Sequence, residues 1–105
     1  MSTPTKSALS PARRRLVELL QTINFGRLEH LPVQGGEPVL DPLPPITREY
    51  KFSAENGPRP EATRPDCALK PQHLDLMHVL DEVRDGTIAV IICKHGIPFS
   101  CELPG

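Results

Sequence analysis

The chain has 105 residues and a formal net charge of −1, which excludes an architecture of two large lobes and a general polyanion binder. Thirteen prolines indicate long loops, and three cysteines without dense regular spacing favour a reducing, cytoplasmic location over a disulfide-stabilised secreted one. We also expect no signal peptide and no membrane anchor, because every apolar run is too short for either.

The first predicted element is an amphipathic helix. Residues 1–10 are rich in Ser, Thr and Pro, and we expect a flexible N-terminus there. Ser10 suits the N-cap and Pro11 the first helical position. Apolar residues then follow at helical spacing and form one stripe, namely Leu16, Leu19, Leu20 and Ile23. Gly26 follows three residues later, which predicts a helix end in the left-handed conformation.

A β-hairpin is predicted after this helix, with a two-residue turn at Gly35 and Gly36. Pro32 cannot donate to a strand ladder, so its strand is expected at a sheet edge or at a bulge. Residues 46–52 alternate apolar and polar side chains, which predicts a third short strand that adds to the hairpin. Residues 11–52 therefore form the first helix-hairpin unit.

A Pro-rich linker at residues 53–70 leads to a second unit at residues 71–105, which opens at Pro71. Residues 16–41 align without a gap with residues 76–101. The identical pairs are Leu16/Leu76, Leu20/Leu80, Gly26/Gly86, Gly36/Gly96 and Pro38/Pro98. The pattern predicts one compact α+β domain of two helix-β-hairpin repeats, packed with pseudo-twofold symmetry, with the helices on one face of an antiparallel sheet.

The second hairpin is predicted to turn at His95 and Gly96, which assigns its side chains to two faces. One face is expected to cover the helices and carries Ile88, Val90, Ile92, Phe99, Cys101 and Leu103. The other face is expected to be partly exposed. Cys93 and Cys101 then lie on opposite faces and cannot form a disulfide. The candidate interaction surface is this exposed face together with part of the first hairpin, namely Ile91, Cys93, Pro98, Leu31 and Val33.

The run Ile23-Asn-Phe-Gly26, followed by a strand, a Gly-Gly turn and a second strand to Val39, resembles the YezD-like family of small bacterial proteins. That family has a helix followed by Ile-x-Phe/Tyr-Gly, a strand, an Asp-Gly-type turn and a second strand. The segment from Val83 to Phe99 is similar but lacks the aromatic residue before the glycine. The resemblance implies a fold and supplies no catalytic residues. Because members usually carry one copy, it also implies that this duplicated chain is equivalent to a dimer.

Metal binding and catalysis find little support in the sequence. The ligand types are present, but their spacing fits no zinc motif: Cys67, His73, His78, Cys93, His95 and Cys101. Asp81, Glu82 and Asp85 lie on a helix surface without a partner that would tune them. We therefore expect no metal, no cofactor and no enzyme, the alternative being a small subunit that completes a larger active site.

Two functions remain open. Arg13, Arg14 and Arg15 at the start of the first helix are candidate phosphate contacts, which favours a regulator that binds DNA or RNA. The exposed hairpin face and the probable strand edges instead favour a non-catalytic protein-interaction or assembly module. We predict the second function, with the chain itself as the partner in a homodimer or larger homo-oligomer.

Overall fold

The computed structural model describes residues 5–64 and 66–104. Two 13-residue helices and five strands make a mixed α+β fold. The bounds are α1 Pro11–Ile23, β1 Gly26–Gln34, β2 Glu37–Pro38, β3 Ile46–Arg48, α2 Pro71–Val83, β4 Gly86–Lys94 and β5 Ile97–Glu102, with 3₁₀ turns at Lys6–Ala8 and Pro60–Thr63. Both helices begin at the predicted prolines, and both hairpins have the predicted two-residue turns.

The helix starts are capped in two different ways. Ser10 Oγ accepts a hydrogen bond from the backbone N–H of Arg13 at 3.3 Å, as its N-cap role predicts. At the second helix the backbone N–H of Lys70 donates to Nδ1 of His73 at 2.9 Å. The side chain of His73 thus satisfies a backbone donor at the start of α2.

The prediction that Gly26 and Gly86 end the two helices is wrong, because the helices end at Ile23 and Val83. Asn24 and Arg84 have φ of 65° and 56°, with ψ near −65°. A hydrogen bond spans each of these residues. Phe25 N–H donates to the Ile23 carbonyl at 2.8 Å, and Asp85 N–H donates to the Val83 carbonyl at 2.6 Å. These are γ-turns of the strained form. Gly26 and Gly86 instead begin β1 and β4.

The strands form one antiparallel sheet in the order β2-β1-β4-β5, with β3 beside β2 on the outer edge of β1. Strand β3 confirms the predicted addition to the first hairpin, but it ends at Arg48. Strand β1 is an interior strand, so the edge position expected for Pro32 is wrong. The alternative, a bulge at Pro32, does not occur in the pairing with β4, which keeps one register from Gly26 to Val33. Strand β1 is irregular instead at His30, which has a positive φ and is skipped in that pairing.

The central strands β1 and β4 pair antiparallel, which brings apolar residues of the two hairpins opposite each other. Leu28 lies opposite Ile91 and Leu31 opposite Ile88. These side chains and those of both helices form one buried cluster that includes Leu16, Val17, Leu20, Leu76, Met77 and Leu80. The core of the protein is therefore the contact between the sheet and both helices.

The predicted faces of the second hairpin are wrong in β4, where Ile88 and Ile91 are both buried, and again in β5 beyond residue 98. The register of β4 and β5 shifts by one residue between Ile92 and Cys93, so Cys101 lies opposite Ile91. A one-residue slip moves side chains to the other face of a sheet. Cys101 consequently packs against the core, on the same face as Cys93, whereas Phe99 is 64% exposed.

The linker packs against α1 and the N-terminal segment. The backbone N–H of Arg59 donates to the carbonyl of Gln21 at 2.8 Å. Lys6 is fully buried, and its Nζ donates to the carbonyl of Glu61 at 2.9 Å while its backbone N–H donates to that of Cys67. Residues 5–10, in the segment expected to be flexible, are thereby joined to the linker.

The two γ-turns allow a matched test of backbone strain. Arg84 is exposed, so Arg84→Gly relieves the turn without loss of packing, and we expect the free energy of unfolding to rise by up to about 1 kcal/mol. Asn24 is buried, and its side-chain amide donates to the carbonyls of Gly57 and Glu55 at 3.0 and 3.3 Å. Asn24→Gly should therefore lower the free energy of unfolding, by about 1 kcal/mol. Urea denaturation measures both, and equal effects would contradict this account.

Candidate functional site

The five residues of the predicted interaction surface are buried, so the expectation that they form an exposed face is wrong. All five side chains are buried: Leu31, Val33, Ile91, Cys93 and Pro98. The two-face assignment fails because the buried positions of β4 are Ile88, Ile91 and Cys93, a pattern that breaks strict alternation. The side chains that face the helices are therefore those that the sequence pattern predicts on the outer face.

The cysteine thiols differ in burial. Cys93 lies between the sheet and α1, with its Sγ 3.2 Å from the carbonyl oxygen of Leu20. Burial raises the pKa of Cys93 to about 12, so the thiol stays protonated and unreactive at neutral pH. Burial also raises the pKa of Cys101. Across residues 5–64 and 66–104 no three His, Cys, Asp or Glu side chains are placed to hold a metal ion.

Arg13 does not extend into solvent but joins three parts of the fold. Its guanidinium donates to the carbonyl of Gly36 at 2.9 Å and to the carboxylate of Asp81 on α2, and its Nε lies 3.9 Å from Glu37. The hydrogen bond from Arg13 holds the pKa of Asp81 below its ordinary value. The Arg13 guanidinium therefore links α1 to the first hairpin turn and to α2.

The other arginines of the predicted phosphate-binding triplet have different surroundings. Arg14 is half-buried and Arg15 is exposed. The structure therefore does not present Arg13, Arg14 and Arg15 as one exposed basic patch. No observation on the described residues favours nucleic-acid binding over the solvated helix face that such triplets usually form.

The outer edge of β5 is an exposed feature with apolar character. In the described part of the chain β5 pairs with β4 alone, so its other edge has no strand beside it. Phe99 projects from this strand, and Nζ of Lys94 lies 4.2 Å from the centre of its ring. Leu74 on α2 and Leu103 after β5 are also exposed.

A groove separates this strand from α2. Its volume is about 90 Å³, and its lining includes Leu76, Val79, Pro98, Phe99 and Cys101. The groove therefore connects the exposed edge of β5 with buried residues of the core. We call β5, Phe99 and this groove the β5 edge. Strand addition needs an unpaired strand beside a place for apolar side chains, and the β5 edge supplies both.

No protein-family model, curated protein or solved structure matches this chain. The resemblance to the YezD-like family accordingly rests on the sequence motif alone. Between residues 5 and 104, Pro65 apart, the chain contains no helix with the length and apolar character needed to cross a membrane.

Replacement of Arg13 tests whether this guanidinium is structural. Arg13→Ala leaves the buried carbonyl of Gly36 without its side-chain donor, and we expect the free energy of unfolding to fall by about 1–2 kcal/mol. The exposed Arg15 is the matched control, and Arg15→Ala should change it by less than about 0.5 kcal/mol.

The same pair of variants gives a pH dependence. A carboxyl whose pKa is lowered on folding stabilises the protein above its unfolded pKa, and this contribution is lost as the pH falls through the folded pKa. The deficit of Arg13→Ala relative to the original chain should therefore shrink below pH 3.8, the ordinary pKa of Asp81. Denaturant titrations across this range measure it, and a constant deficit would exclude the Asp81 contact.

Proposed function

We propose that this protein is a non-catalytic assembly module that binds a second copy of itself through the β5 edge. The observation that carries the proposal is the unpaired outer edge of β5 beside an exposed Phe99. An uncovered strand of this kind presents backbone donors and acceptors that another strand can satisfy. Protein interaction is the function expected from the sequence, and the proposal moves it to the β5 edge, whose groove shares Ile91 and Pro98 with the surface predicted from the sequence.

The charges near the two ends of β5, Lys94 on the neighbouring β4 and Glu102 on β5 itself, support a second copy as the occupant. Lys94 lies opposite Ile97 at the turn end of the strand, and Glu102 is its last residue. When two copies pair antiparallel about a twofold axis, the lysine end of each lies beside the glutamate end of the other. The edge is therefore self-complementary in charge.

Pro98 limits which part of the strand pairs. It has no backbone N–H to donate, so it blocks the start of the edge. Residues 99–102 remain for pairing, and Phe99 lies at the beginning of this segment. Two copies related by a twofold axis bury both Phe99 side chains, which gives the edge an apolar contact in addition to backbone hydrogen bonds.

We further propose that the two halves of the chain are copies of one helix-hairpin unit, related by a pseudo-twofold axis. Hydrogen bonds recur at an offset of 60 residues: Gly36 N to the Arg84 carbonyl and Gly96 N to the Asn24 carbonyl, both at 2.9 Å. The γ-turns at Asn24 and Arg84 recur at the same offset. Under this proposal, each half of the chain corresponds to one single-copy YezD-like protein.

The assembly proposal predicts the mass of the protein in solution. Size-exclusion chromatography with light scattering should give twice the chain mass, and Phe99→Glu should give one chain mass because it places charge at the twofold contact. Phe52→Glu is the matched control, since Phe52 is 90% exposed and lies away from β5. A single-chain mass for the original protein at high micromolar concentration would refute the proposal.

Charge exchange tests the antiparallel arrangement separately. Lys94→Glu and Glu102→Lys should each weaken the dimer by placing like charges together at both ends of the edge. The double variant restores opposite charges and should recover most of the affinity. Equilibrium sedimentation measures all three constants, and additive losses in the double variant would exclude this pairing.

A further inference from the structure

A second cavity lies at the start of α2, on the side of the second hairpin turn. Its volume is about 250 Å³. Arg59 lies over Gly96, where an added Cβ would be 2.6 Å from the Arg59 side chain. Arg64 and Lys70 are exposed residues of its lining, and His73 is a buried one. The cavity thus joins the linker, α2 and the hairpin turn.

His73 lines this cavity, and one of its ring nitrogens has no hydrogen-bond partner among the described residues. The residue is 2% exposed, and its Nδ1 accepts from the backbone N–H of Lys70. Burial lowers the pKa of His73, so the neutral ring carries its proton on Nε2. Nε2 is buried and has no hydrogen-bond partner among the residues that the structure describes. A buried donor without a partner is costly, and a bound acceptor would satisfy it.

The charge around the cavity is positive. Arg59, Arg64 and Lys70 line it against one carboxylate, that of Glu61, which lies 3.2 Å from Nε of Arg59. The N-terminus of α2 adds a positive partial charge, because Lys70 and His73 belong to its first turn. Guanidinium groups and helix N-termini are the features that bind oxyanions in proteins.

The other half of the chain shows what fills the equivalent space there. Arg13 contacts Gly36, Glu37 and Asp81. The residues 60 positions from these four all line the cavity, namely His73, Gly96, Ile97 and Gln21. The exchange removes both carboxylates, and the cation beside the turn glycine is Arg59 of the linker, so the second location keeps a cavity with one carboxylate, that of Glu61, instead of two.

We infer that this cavity is a binding site for a phosphate group, either inorganic phosphate or the phosphate of a small ester. Nε2 of His73 donates to one phosphate oxygen, and Arg59, Arg64 and Lys70 balance its charge. Phosphate is preferred to a carboxylate because several cationic groups surround one small cavity, which suits the higher charge of the phosphate dianion. This site lies apart from the β5 edge and does not depend on assembly.

Isothermal titration calorimetry on the full chain tests the inference, with inorganic phosphate, pyrophosphate and glycerol phosphate as probes. We expect saturable binding with a dissociation constant on the order of 1 mM or below. Tighter binding of glycerol phosphate than of inorganic phosphate would identify an ester as the ligand, and the reverse would identify the free ion. Succinate is the carboxylate probe, and succinate binding as tight as phosphate would overturn the assignment.

Two sets of variants locate the binding. Arg64→Ala with Lys70→Ala removes two exposed cations of the cavity and should weaken phosphate binding at least tenfold, whereas Glu61→Gln should strengthen it. Arg15→Ala with Arg27→Ala is the matched control, because it removes the same charge from exposed residues elsewhere. Equal weakening by both double variants would show screening of net charge and overturn the site.

The imidazole of His73 supplies a readout that needs no substitution. Phosphate titrated into the unaltered protein should shift the NMR signals of the His73 ring with the same saturation curve as the calorimetry. The signals of the exposed His78 ring on the same helix serve as the internal control. A shift of His78 without a shift of His73 would refute the assignment.

Discussion

The fold depends on two reciprocal hydrogen bonds between its halves. The turn glycine of each hairpin donates its backbone N–H to the residue that ends the helix of the other half, Gly36 to Arg84 and Gly96 to Asn24, both at 2.9 Å. The strained γ-turns place those two carbonyls where the turns reach them. Since each bond needs both halves, neither hairpin is held in place by its own helix alone, and the strain at residues 24 and 84 is offset by contacts made across the molecule.

The sequence predicts the elements of this fold better than their faces. Helical spacing and proline place the starts of α1 and α2, because both signals are local. The helix ends were missed because Asn24 and Arg84 adopt a conformation that glycine usually takes, and tertiary hydrogen bonds favour them there. The faces of β5 were missed because the register shift beside Cys93 inserts one residue, and strict alternation has no signal for such an insertion.

The sequence predicts the candidate sites less well than it predicts the fold. Strict alternation predicts Phe99 on the helix-facing side, but it is exposed, and it predicts Ile91 on the outer side, but it is buried. Arg13 has the sequence context of a phosphate contact, but its acceptors lie far along the chain, at Gly36 and Asp81. A cavity built from an α1 residue, the linker and α2 has no local pattern, so its residues are found from the folded chain alone.

The two contacts between a hairpin turn and the helix of the other half have the same backbone hydrogen bond but different side chains around it. At one, a guanidinium fills the space and two carboxylates neutralise it, so the contact is closed and serves stability. At the other, His73 turns its Nδ1 toward the backbone of α2, Arg59 of the linker lies over the turn glycine, and a basic cavity remains beside them. If both contacts were purely structural, a closed second contact would be the more stable choice, because a buried donor without a partner is costly. The open and basic character of the second contact is therefore the strongest physical reason to assign it a ligand.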